Sequence, residues 1–281
     1  MLNTIAATRM GQGGTPCAPN GRVKAVLRVL IGLPTCFVIL ASHANAQAPP
    51  WTLTTAYSFQ GSPDGVSPEA PLAAGESRAL YGTTYFGGTA GSGTVFELQP
   101  PTVAGGSWTE TVISNFEAGG AQPTAGVVVG KGGVLYGTTG LGGTFGCGTA
   151  LQLTPPVSPG GTWSQTVLHD FTGGADGADP FGQLILGPNE ELYGTTWRGG
   201  SLNFGTVFEL SRPTFPGGAW TEDVLYNFTN GADGSCPTSG LAKDANGNFY
   251  GYTSVVFELV RHRGRGVDTE HAARLHRKRV G

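Results

Sequence analysis

The chain has 281 residues, with 48 Gly and 19 Pro, and only 12% of it is charged. Its formal charge of −3 divides unevenly: residues 1–46 carry four Lys/Arg and no acid, residues 47–260 carry five Lys/Arg against 17 Asp/Glu, and residues 261–281 carry seven Lys/Arg against two acids. An acidic middle argues against nucleic-acid binding, which needs a basic footprint, and glycines that recur in register among Thr, Val, Leu, Phe and Tyr argue for strands and ordered turns over helices.

In chain order, residues 1–46 read as an export signal. Arg22, Lys24 and Arg28 precede an apolar run from Val29 to Ala41, and Ala44-Asn45-Ala46 supplies small residues for cleavage before Gln47. Pro34 breaks that run, which is short for a membrane span of about 20 residues. Cys17 and Cys36 would leave with it.

Residues 47–260 form the tandem-repeat domain, in units of about 51–107, 108–162, 163–219 and 220–260. Each opens with a Trp-led strand: Trp51 to Phe59, Trp108 to Phe116, Trp163 to Phe171 and Trp220 to Phe228. A Gly/Asp/Pro loop and a short apolar strand follow. A tight turn leads into Leu80-Tyr81-Gly82-Thr83-Thr84, which returns at Leu135 and Leu192 and, altered, at Phe249, at intervals of 55, 57 and 57 residues. A Gly-Gly loop then precedes Gly93-Thr94-Val95-Phe96-Glu97-Leu98 and its later copies. A fixed period of this length marks a repeat architecture. Four short antiparallel strands per period is the layout of a propeller blade, whose apolar positions on both faces become core between blades. The expected fold is all-β, a β-propeller-like array of four-stranded antiparallel blades. It has about four repeats of 55–57 residues, the last degenerate because its final leucine follows the previous one by 49 residues instead of 57.

The combination of Leu-Tyr-Gly-Thr-Thr, Gly-Gly, Gly-Thr-Val-Phe-Glu-Leu, Trp-Thr-Glu-Thr-Val and an Asp-Gly loop, across residues 51–260, resembles the Gloeo/Verruco-type tandem repeat of secreted, choice-of-anchor bacterial proteins. The resemblance implies an exported, propeller-like protein and brings no reaction with it. After Val260 the repeat stops at Arg261-His262-Arg263-Gly264-Arg265. Residues 261–281 read as a disordered basic tail, either an out-of-frame continuation of a longer array or a genuine interaction arm.

No catalytic set stands out. The glycines from Gly87 to Gly93 lack the Lys-Ser/Thr and the following helix that make a phosphate loop. His169 is the one histidine of the repeat region, and adjacent strand residues point to opposite faces, so it cannot easily pair with Asp170. The Asp-Gly loops at Asp64, Asp176, Asp179 and Asp233 offer hard oxygens to Ca²⁺, but one or two carboxylates per loop fall short of its usual six to eight oxygens, and Asp-Gly is ordinary turn chemistry. No cofactor is expected. Cys147 and Cys236 lie in loops on one face and are candidates for a disulfide in an exported chain. The loop aromatics Tyr85, Phe86 and Trp197 are candidates for a glycan-facing surface, with packing between blades the commoner role for such rings.

The function expected is that of an exported, non-enzymatic binding or surface-interaction scaffold of unknown ligand, which meets a glycan or another surface protein. A polysaccharide-binding or polysaccharide-acting propeller is the alternative, and a truncated, non-functional fragment of a longer repeat protein is a third. An open array would expose an apolar blade face at each end and self-associate.

Overall fold

The computed structural model describes residues 52–116, 122–158, 160–215 and 217–260. Every described strand lies in one compact unit, which begins at Leu53. The expected export signal and basic tail lie outside the described residues.

The architecture is all-β, as the repeats require. The first sheet is β1 (Ala73–Ala74), β2 (Leu80–Thr84), β3 (Thr94–Gln99) and β4 (Thr109–Asn115). The second is β5 (Val128–Val129), β6 (Leu135–Thr139), β7 (Thr149–Thr154) and β8 (Ser164–Asp170). The third is β9 (Ile185–Leu186), β10 (Leu192–Thr196), β11 (Thr206–Ser211) and β12 (Thr221–Asn227), and the fourth is β13 (Ala242–Lys243), β14 (Phe249–Tyr252) and β15 (Val256–Leu259). In each sheet the strands neighbour one another in chain order, all antiparallel.

The sheets are out of phase with the sequence units. Each Trp-led strand pairs with the Val-Phe-Glu-Leu strand before it, so Leu98 faces Glu110 and Leu210 faces Glu222. The Pro/Gly link is the hairpin, and the Asp-Gly loop is the crossover to the next sheet. The first Trp-led segment therefore differs from expectation: residues 52–60 belong to no strand, because no described Val-Phe-Glu-Leu strand precedes them. In β4, β8 and β12 the ladder skips one residue, Ile113, Leu168 or Leu225, and each of these packs into a core.

Three apolar cores fill the three junctions between successive sheets. Tyr81 and Val95 of the first sheet meet Val127, Leu135 and Leu153 of the second; the next junctions repeat this with Tyr136 and Ala150, then with Tyr193 and Val207. The phenylalanine that ends each Trp-led strand crosses over with the loop. Phe171 thus stands edge-on to Phe208, 5.2 Å between ring centroids, and Phe59 stands likewise on Phe96 at 4.9 Å. Within each complete hairpin the second Thr of Leu-Tyr-Gly-Thr-Thr shares a buried hydroxyl bond with the Thr of Gly-Thr-Val-Phe: Thr84 with Thr94, Thr139 with Thr149, Thr196 with Thr206, at 2.8, 2.9 and 2.8 Å.

Two carboxylates run against this pattern. Glu110 and Glu222 each hold a buried Oε1 without a hydrogen-bond partner. Burial, with help from Asp64 for Glu110 and from Asp176 and Asp223 for Glu222, raises both pKa values to about 7. At the same place the second sheet carries Gln165, whose Oε1 accepts a bond from Ser114 Oγ at 2.8 Å. Below the ordinary carboxylate pKa both the folded and unfolded chains are protonated there, and no penalty arises. As the pH climbs through that value to about 7 the unfolded chain releases its protons first and stability falls. Discounted for partial exposure, each group costs about 1 kcal/mol above that range. The melting temperature should therefore drop by roughly 4–8 °C between pH 5 and pH 8, and the Glu110→Gln, Glu222→Gln double variant should flatten that slope. A slope unchanged in the double variant would assign it to other groups.

Candidate functional site

At one end of the array the loops that leave the Leu-Tyr-Gly-Thr-Thr strands dock onto the crossover loops. Within each sheet one backbone bond repeats: Tyr85 N–H donates to Ser67, Gly140 N–H to Gln122, and Trp197 N–H to Asp179, at 3.0, 3.1 and 3.0 Å. A second bond ties each sheet to the hairpin tip of the sheet before, with Gln122 N–H donating to Ser92, Asp179 N–H to Cys147 and Cys236 N–H to Phe204. Backbone contacts thus carry the framework, and the side chains at these positions are free to differ.

They do differ. Where the first three sheets meet, Tyr85, Gly140 and Trp197 occupy one repeat position, and Gln122 and Asp179 another. Together they line a cleft of about 200 Å³. Gly140 makes room for it, since a Cβ there would stand 2.9 Å from the Phe181 ring and 3.2 Å from the Thr124 methyl. Tyr85 OH donates to Gln122 Oε1 at 2.8 Å, which holds the amide plane and leaves its NH₂ to the cleft. Phe181 lies 5.5 Å from Trp197 between ring centroids, and Arg198 lays its guanidinium 4.1 Å from the Trp197 ring centre. Arg198 Nε is also 3.8 Å from Asp179 Oδ2. Burial pushes the Asp179 carboxyl above its ordinary range against the pull of that arginine. The cleft therefore offers aromatic and aliphatic walls, one carboxylate, one guanidinium and an amide, and its formal charges cancel.

Two of the three aromatics named as candidates for a ligand-facing surface, Tyr85 and Trp197, are brought together here. Both are half-buried, and packing accounts for much of their surface. Phe86 stands outside the cleft, exposed and edge-on to Tyr85 at 4.5 Å. Sequence reasoning passed over Gln122, Thr124, Gly140, Leu141, Phe181 and Arg198. Their signal is that these loop positions change from unit to unit while the Leu-Tyr-Gly-Thr-Thr strand before them is the same in three units.

The Asp-Gly loops are turns with a specific job. Asp233 accepts bonds from Tyr226 OH at 3.0 Å, Thr229 N–H at 2.7 Å, Thr229 Oγ1 at 2.6 Å and Gly231 N–H at 3.0 Å. Asp64 accepts from Tyr57 OH and the Gln60 N–H, and Asp176 from Thr172 and from the His169 ring, whose Nε2 lies 3.2 Å from Oδ2. The pairing partner of His169 is thus Asp176, seven residues on, and not the adjacent Asp170. Burial alone would raise these carboxyls, but the hydrogen bonds win and hold all three below their ordinary range. With their oxygens spent on the protein, Asp64, Asp176 and Asp233 are poor Ca²⁺ ligands, and among the described residues no group of three or more His, Cys, Asp or Glu is arranged to hold a metal ion.

Cys147 and Cys236, the two cysteines proposed for a disulfide, each carry a free thiol in this structure. Cys147 accepts through its carbonyl from Asp179 N–H, whereas Cys236 donates its N–H to Phe204, each in a different junction. Burial and the carboxylates of Asp179, Asp176 and Asp170 push the Cys147 thiol up, away from the reactive thiolate.

No curated protein matches the chain. A family model described as the Gloeobacter/Verrucomicrobia repeat matches residues 45–162, a span that holds the whole first sheet and the second as far as β7. The third and fourth sheets continue the same strand order and the same cores. Residues 45–162 are thus similar to the Gloeobacter/Verrucomicrobia repeat, and the rest of the described array repeats their plan.

Proposed function

We propose that the chain is an exported, non-enzymatic repeat scaffold whose recognition site is the cleft between Tyr85 and Trp197, and that the ligand class it fits is the uncharged sugar ring of a surface glycan. The observation that carries this reading is the concentration of unit-to-unit side-chain changes in one cleft, on a framework whose backbone bonds repeat. Positions that vary on a constant scaffold are where repeat arrays place binding. A hydroxyl-rich ring needs donors and acceptors of both kinds beside apolar walls, and Asp179, the Arg198 guanidinium and the Gln122 amide supply them without net charge. The cleft is smaller than the roughly 300–1,000 Å³ of sites for drug-sized ligands, which suits a single ring better than a length of polymer. Export rests on the Arg22–Ala46 pattern alone.

A glycan array probed with the purified chain is the direct test. Retention of at least one neutral glycan is expected, with the affinity falling about fivefold or more in Trp197→Ala, since loss of one aromatic platform costs about 1–3 kcal/mol. Asp179→Asn should weaken binding less. Retention unchanged in both variants, or no glycan retained at all, would sink the assignment.

A further inference from the structure

The three junctions between sheets are built alike, and each joins two different half-surfaces. The earlier sheet contributes its Tyr and the residue two before Glu or Gln: Tyr81 and Val95, Tyr136 and Ala150, Tyr193 and Val207. The later sheet contributes the residue that leads its short strand: Val127, Leu184 or Leu241. The Trp at the head of the later sheet's outer strand then stands on the earlier Tyr, Trp163 on Tyr81 and Trp220 on Tyr136, both at 6.0 Å between centroids.

The two ends of the array carry one of these halves each. On the fourth sheet Val256 occupies the place of Val95, Ala150 and Val207, which are 1%, 0% and 0% exposed, yet it is 82% exposed. On the first sheet Leu72 occupies the place of Val127, Leu184 and Leu241, which are 1%, 2% and 6% exposed, yet it is 48% exposed. Trp108 heads the outer strand of that sheet and has no tyrosine before it to stand on among the described residues. The strand edges match in the same sense. Among the described residues β15 lacks the outer partner that β3, β7 and β11 have, while residues 53–58 have the Trp-led sequence and no sheet to join, with Leu53 99% exposed.

We propose that these halves meet between copies: the first sheet of one chain stacks on the fourth sheet of another, and residues 53–58 pair antiparallel with β15 as its missing outer strand. The repeat fixes the register. Val95 faces Ser114, Phe96 faces Val112 and Leu98 faces Glu110 in the first sheet, so the donated strand sets Tyr57 opposite Val256, Thr55 opposite Phe257 and Leu53 opposite Leu259. Trp108 comes to stand on Tyr250. The occupant is a second copy because the two halves are open in the same chain, within the same compact unit, without having found each other. Both halves are present in every copy, and the contact is head-to-tail, so it propagates until a ring closes. This assembly is independent of the cleft and of what the cleft binds.

Light scattering on the full-length chain across a concentration series tests it. The expected result is a mass of at least two copies that dissociates on dilution. Thr55→Pro spoils the donor strand and Val256→Lys the acceptor face; both residues are exposed in the single chain, so neither change disturbs its fold. Each variant alone should remain a single copy, and an equimolar mixture should form a heterodimer and nothing larger, because one good donor and one good acceptor remain. A wild-type chain that is a single copy at every concentration would overturn the proposal, whether its own residues 53–58 or residues 261–281 cover β15. So would assembly that survives both substitutions, or a mixture of the variants that stays monomeric.

Discussion

Gly194→Ala is expected to lower the stability of the array by about 1–3 kcal/mol, whereas the same change at Gly137 should be neutral or stabilising. Both glycines are the third residue of Leu-Tyr-Gly-Thr-Thr, and each faces the neighbouring strand's apolar residue directly, Phe208 for Gly194 and Leu151 for Gly137. A Cβ on Gly194 would lie 2.6 Å from Phe208 Cζ and 2.9 Å from Leu184 Cδ2. Neither can retreat cheaply, because both are fully buried and Phe171 stands against the Phe208 ring. Overpacking of this kind costs about 1–3 kcal/mol, and the entropy gained by restricting the unfolded chain returns only about 0.4–1 kcal/mol. At Gly137 the nearest atom to a new Cβ is Val127 Cγ1 at 3.3 Å, so the entropic gain meets little opposition. Replacing Phe208 by Leu, as in the second sheet, should relieve the clash, so the Gly194→Ala, Phe208→Leu pair should lose less than its two single changes sum to. Thermal melts read this as a shift of about 2–4 °C per kcal/mol. Equal melts for Gly194→Ala and Gly137→Ala would mean that the slot is not what selects glycine.

That contrast explains which parts of the fold were legible in the sequence. The strands were, because the apolar residues that build them recur at fixed places and most go into the junction cores. Tyr81, Tyr136 and Tyr193, met one at a time, could belong to a site; met in series, they are packing. The phase of the sheets was not legible. Whether Trp108 begins a sheet or completes one depends on which of two glycine-rich connections is the hairpin, and composition does not distinguish them. The skipped residues Ile113, Leu168 and Leu225 also turn inward only through irregular pairing that no period of two contains. In the cleft, Tyr85 and Trp197 were visible as aromatics off the strand pattern, but Asp179 read as one more loop carboxylate. Only the fold separates it from Asp176, three residues earlier, whose oxygens are taken up by Thr172 and His169.

The same comparison within the chain identifies a second position of large effect. The Tyr or His two residues before the Phe that closes a Trp-led segment is followed seven residues later by Asp in three units, as Tyr57 with Asp64, His169 with Asp176 and Tyr226 with Asp233, and in the remaining unit both change together, to Ser114 and Ala121. In the three paired units the two side chains touch, and for His169 and Tyr226 the bond joins the outer strand of one sheet to the loop that leads into the next. Asp233 is the most enclosed of the three carboxylates, at 1% exposure, and its four hydrogen bonds come from two residues' side chains and two backbone N–H groups. Asp233→Ala would leave those donors without an acceptor, at about 1–3 kcal/mol for each one that water cannot reach, so a total loss of about 3 kcal/mol is expected. Asp233→Asn should fare nearly as badly despite its shape, since each carboxylate oxygen meets a backbone N–H and in either orientation the NH₂ would confront one of them. Pairing Asp233→Ala with Tyr226→Ser, which restores the combination of the second unit, should cost less than the sum of the single changes. The carboxylate's depressed pKa gives a further sign: its contribution is complete above the ordinary Asp range and is lost as the pH falls through the lowered value. The Asp233→Ala deficit should therefore be full at pH 6 and shrink in strong acid, where the wild-type carboxyl also takes up its proton. A deficit of equal size at both extremes would show that the loop is held by shape and not by the charge of Asp233.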